Sequence, residues 1–146
     1  MEKKTLLEPI VEDRPRRPAS WVVTVVISSA ILLMAGAAIA GFRPELLGSS
    51  TDPVTTTVRV FADYVVARNG ALAVLLVLLL AIRAAHGLVI ALLLVALIQT
   101  TDGVLDIVQG RLEIVPVAAA IAIACIAAAV RHSQKPLWQW STWQDF

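Results

Sequence analysis

The chain is poor in the groups that carry chemistry. It has one cysteine and two histidines among 146 residues. A lone cysteine forms no internal disulfide and no CxxC redox pair. Cys125 stands in an apolar, alanine-rich run, which is the setting of an inert packing residue. His86 and His132 fall on different segments without HxxxH spacing, so they form no metal-ligand pair. GxSxG, P-loop and GxGxxG patterns are all missing. No catalytic residue, metal or cofactor is therefore assigned, and enzyme activity has no specific argument in its favour. Charge of one sign is missing too. The formal net charge is +1, which argues against a nucleic-acid partner.

What the sequence has in abundance is hydrocarbon. Hydrophobic residues make up 58% of the chain, more than a soluble domain of this size can keep from water. Lipid is the fitting solvent, and runs of about 18 or more apolar residues are candidate membrane spans. Four such segments are expected, at about 21–41, 57–82, 86–101 and 112–130. They predict an all-α bundle of four transmembrane helices over 21–131. A polar, proline-bearing segment precedes it at 1–20 and a Trp-rich tail follows at 132–146. The first run is too long for a cleavable leader and is expected to remain as a signal anchor.

Orientation follows from the positive-inside rule. Lys3, Lys4, Arg14, Arg16 and Arg17 precede span one, Arg83 lies in the loop after span two, and Arg131 and Lys135 follow span four. Arg43, Arg59 and Arg111 lie on the other side. Both termini are expected in the cytoplasm, and the alanine-, valine- and arginine-rich composition suggests a bacterial inner membrane.

Three features are candidates for function. The first is packing. Gly36, Ala37, Ala40 and Gly41 form small-xxx-small pairs on span one, and Ala120, Ala124 and Ala128 share a face of span four. Those two faces are expected to meet. The second is the tail, where Trp138, Trp140, Trp143 and Phe146 follow Arg131, His132 and Lys135. Such a tail suits a headgroup belt or a partner surface.

The third is a set of polar residues at membrane depth. Arg68 precedes Arg83 by fifteen residues, about 22 Å along a helix. Asp102 follows His86 by sixteen, about 24 Å. On antiparallel neighbours joined at a short basic hairpin, Arg68 and Asp102 should reach the same level. Asn69 and Gln99 come near it, and Asp63, Asp106 and Glu113 are further candidates. Arg59 and Asp63, four apart, can pair on one helix face. Ionisable residues inside a membrane raise the hypothesis of a small-molecule or proton site. The alternative is a clasp between spans two and three. Arginine is held protonated by its high pKa, and no histidine lies at this depth, so the clasp is preferred.

With these residues placed, the chain resembles small four-helix integral membrane families of unknown function grouped loosely with DoxX-like proteins. The resemblance covers roughly residues 21–130. It rests on "GFRP" after span one, "ARNGALA" at the start of span two, the basic hairpin near Arg83, and "TTDGVLDIVQG" at the end of span three. It implies a four-helix bundle with an arginine and an acid at the Arg68 and Asp102 positions. Asn69 stands where those families carry an acid, and Pro116 lies near the place of their histidine. The resemblance therefore carries over no reaction.

These readings converge on a non-catalytic accessory or scaffold protein that binds a larger membrane complex or its own copies among membrane lipids. A carrier or enzyme for a lipid- or quinone-like molecule, using the polar cluster, is the alternative.

Overall fold

Backbone amides and carbonyls cannot be left unpaired in hydrocarbon, so an apolar run of this composition is stable there as a helix. The computed structural model describes residues 18–47 and 55–133, and all regular structure among them is helical. Four α-helices follow one another: α1 Ser20–Phe42, α2 Thr56–Ala81, α3 Ala85–Val108 and α4 Val115–Ser133. All four are long and apolar enough to cross a membrane. The shortest, α4, has 19 residues and spans about 28 Å. The terminal segments that contain Arg14, Arg16, Arg17, Lys135, Trp138, Trp140, Trp143 and Phe146 lie outside the described residues.

Local chemistry sets the helix ends. A single 3₁₀ turn, Pro44–Leu47, follows α1. There Arg43 Nε donates to Glu45, and that bond holds the Glu45 carboxyl below its ordinary range. Helix α2 is capped by Thr55, whose hydroxyl accepts from the Val58 amide at 3.3 Å. It ends in a Schellman motif: Ala84 N–H donates to Leu79 and Arg83 N–H to Leu80. The left-handed position of that motif is held by Arg83, at φ 56°. Helix α3 ends the same way around Gly110, at φ 75°. Pro116 then falls in the first turn of α4, where its missing N–H costs nothing.

Two spans differ from the sequence expectation. Helix α3 runs to Val108, seven residues past the expected end at 101. "TTDG" reads as a helix breaker, but here each polar group has a reason to stay helical. Thr100 and Thr101 donate to the carbonyls of Ala96 and Leu97. Gly103 is buried where a Cβ would lie 3.6 Å from Ala118 of α4. Helix α4 starts at Val115 rather than 112, because a separate turn, closed by Ile114 N–H donating to the Arg111 carbonyl, occupies the intervening residues.

The packing order also differs. Helix α1 packs chiefly on α2, and α3 chiefly on α4; α2 meets α3, and α1 meets α4, more lightly. The small residues of α1 thus serve α2 rather than α4. A Cβ at Gly36 would come within 3.1 Å of Asn69 Nδ2, and one at Gly41 within 3.4 Å of Val66. Ala40 is fully buried. On α4 the inward face is Ala118, Ala122, Cys125 and Ala129, with Ala128 beside them. Ala128 belongs to the expected face, but Ala120 is exposed and Ala124 only half-buried. The i, i+4, i+7, i+11 row won because Ala118 must meet Gly103. Contact between α1 and α4 includes a Ser29–Cys125 hydrogen bond of 3.4 Å.

The core is made of Val22, Val26, Leu33, Leu72, Leu76, Leu88, Leu92, Val95 and Cys125. Large apolar side chains equally cover the outside: Ile31, Val74, Leu97 and Ile123 are each more than 60% exposed at mid-helix. Water would not tolerate that surface, and acyl chains would. Beyond that shared core, α1 and α2 also approach closely at Gly36 and Gly41. Gly36→Leu is therefore expected to destabilise the bundle by about 1–3 kcal/mol through overpacking against Asn69. Gly70→Ala, at a position with open space, should be neutral or slightly stabilising. Thermal unfolding in mild detergent measures both, and equal effects would contradict this packing.

Candidate functional site

Arg68 lies in the middle of α2, thirteen residues into a 26-residue helix, and an unpaired guanidinium at that position is costly in lipid. Its partner comes from α3. Nη1 donates to Asp102 Oδ1 at 3.1 Å and Nη2 to Asp102 Oδ2 at 2.8 Å. The pair is bidentate and about one-third exposed on each side chain. Nε is engaged as well, donating to Asn69 Oδ1 at 3.3 Å. All three guanidinium nitrogens therefore have acceptors.

Asn69 is the hinge of the arrangement. It is buried, with 8% of its surface exposed. One end of its amide accepts from Arg68, and the other faces Gly36 of α1. A side chain on Gly36 would crowd that amide. Through Asn69 the ion pair between α2 and α3 is braced against α1.

One turn along α3, Asp106 forms a second pair. Arg111 Nη2 lies 2.6 Å from Asp106 Oδ1, and the Asp106 side chain is only 10% exposed. The chain returns to make this contact because Gly110 takes a left-handed conformation that brings Arg111 back over the helix end. Two arginines thus face two aspartates at one end of α3, and their formal charges cancel.

Of the residues expected in the cluster, Arg68, Asn69 and Asp102 are brought together. Gln99 is half-buried, and makes no hydrogen bond with those three. Asp63 and Glu113 are exposed, and Asp63 forms no salt bridge with Arg59. Asp106 belongs to its own pair with Arg111, which the sequence reading placed only on the side opposite the termini. The signal was present: an acid five residues before an arginine, with a glycine between them at a helix end. Among the described residues no group of three His, Cys, Asp or Glu could hold a metal ion.

This geometry joins helices. Three of the five N–H donors of the Arg68 guanidinium are taken by side-chain acceptors, one on each nitrogen, and each Asp102 oxygen accepts one of them. No family model, curated protein or solved structure matches the chain.

Removing Arg68 strands the Asp102 carboxylate at membrane depth. Arg68→Ala should lower stability by about 2–4 kcal/mol, read as thermal unfolding in detergent. Arg68→Lys should recover less than half of that loss, because an ammonium cannot reproduce the two-point contact. Full recovery by lysine would show that charge alone matters.

Proposed function

We propose that this chain is a multi-pass protein of a bacterial inner membrane that acts as a non-catalytic accessory or scaffold subunit. The observation that carries the reading is the Arg68–Asp102–Asn69 clasp, in which every guanidinium nitrogen has a side-chain acceptor. The most conspicuous polar group inside the bundle is spent on holding α1, α2 and α3 together. What remains for function is the outer surface: broad apolar helix faces that lipid or another membrane protein can cover. The light contact between the two helix pairs supports the same reading, since a partner helix can stabilise such a bundle from outside.

The likeness to DoxX-like chains belongs to this proposal, and Arg68 and Asp102 carry it. So does the orientation, with both termini cytoplasmic, which rests on Arg83 and Arg131 and on the basic N-terminal segment. The carrier or enzyme reading needs a ligand at Arg68 and Asp102. Their mutual bidentate bonding argues against it.

The test is purification at native expression in mild detergent, followed by mass spectrometry of proteins and bound small molecules. A stoichiometric protein partner, lost when residues 1–18 or 136–146 are trimmed, is expected. A lone chain carrying one defined small molecule, lost in Arg68→Ala, would overturn the reading. In the same preparation, a cysteine placed ahead of Trp21 should react only from the cytoplasmic face. Labelling from outside would overturn the orientation.

A further inference from the structure

The end of the bundle opposite the clasp has a different character. The described carboxylates, Glu45, Asp63, Asp102, Asp106 and Glu113, all belong to the clasp end of the topology. At the α2–α3 hairpin end the described charged and titratable groups are Arg83, His86, Arg131 and His132. Neither arginine has a carboxylate partner among the described residues.

Three further features converge there. Arg83 and His132 line the same shallow, half-open notch, whose remaining walls include Leu79, Leu80 and Leu88. Helix α3 begins at the rim of this notch, with no side-chain cap and no acid in its first turn. Its N-terminal amides therefore offer a partial positive charge to an anion. Arg83 itself sits at φ 56°, in the left-handed position where helices ordinarily place glycine. A side chain at that position has a backbone cost that its own contacts must offset.

We infer that this notch binds the phosphate of an anionic phospholipid. The anion lies between Arg83, His132 and the start of α3, and an acyl chain runs along the half-buried Leu79 and Leu80. Cationic rim and leucine floor together describe an amphipathic ligand, and a membrane presents phosphate diesters at this depth. The arginine at the glycine position is explained by the same ligand. This site is independent of the accessory role proposed above, and of the Arg68 clasp.

Native mass spectrometry of the full chain in mild detergent tests it, with phosphatidylglycerol, phosphatidylcholine and inorganic phosphate as separate titrants. The wild-type chain should retain phosphatidylglycerol in preference to phosphatidylcholine. Arg83→Gly should weaken that retention about fivefold or more, the weight of one cation at a membrane surface. Glycine adopts φ 56° freely, so the variant should melt no lower than wild type in lipid-free detergent. Arg59→Ala, which removes one exposed charge at the other end, should leave phosphatidylglycerol retention unchanged. Displacement by millimolar inorganic phosphate would identify free phosphate as a sufficient source of the same chemistry; no displacement would identify the lipid. Equal retention of the two lipids, unchanged retention in Arg83→Gly, or equal losses in Arg83→Gly and Arg59→Ala would each overturn the site.

Discussion

The hydrocarbon core of a bilayer neither hydrates a charge nor pairs with one, so a protein that carries arginine into it must bring its counter-ion from a neighbouring helix. The Arg68–Asp102 bond meets that demand, and much of the molecule is arranged around it. It joins α2 to α3, where side-chain packing is comparatively thin. Through Asn69 it reaches the glycine face of α1. Asp102 also sits in the last third of α3, and its neutralisation accompanies the helix past "TTDG" to Val108. The extended helix in turn presents Gly103 to Ala118 and so sets the inward face of α4.

Such a bundle is held together differently from a water-soluble one. Its helices are apolar on every side, so burial of hydrocarbon gives little preference for one neighbour over another. Specificity comes from places where backbones approach closely and from the few polar contacts. Both occur here: Gly36 against Asn69, Gly103 against Ala118, and two arginine–aspartate pairs at one end. The two ends differ sharply. At the clasp end Arg43, Arg68 and Arg111 are matched by carboxylates and only the exposed Arg59 is not, while at the hairpin end neither Arg83 nor Arg131 has such a partner among the described residues.

The sequence was most legible where a one-dimensional signal carries the information. Hydropathy located four helices, and rise per residue placed Arg68 level with Asp102. It was least legible where the answer depends on helix rotation. A run such as "VAAAIAIACIAAAV" is small and apolar at every position, so the sequence does not say whether Ala120 or Ala122 turns inward; the glycine on α3 does. The pairing of α1 with α2 was hidden for the same reason, since both α2 and α4 offer surfaces that small residues can approach. The end of α3 was misread because threonine, aspartate and glycine favour loops in isolation, and their tertiary partners reverse that preference.

The central claim is that Arg68 and Asp102 act as one structural unit. Exchanging them tests it most directly. Arg68→Asp and Asp102→Arg should each lower the melting temperature in detergent, and the double exchange should recover a large part of the loss. A coupling of about 1–3 kcal/mol between the sites is the predicted result. Additive losses, with no recovery in the double variant, would contradict the clasp and return Arg68 to the list of residues whose purpose lies outside the fold.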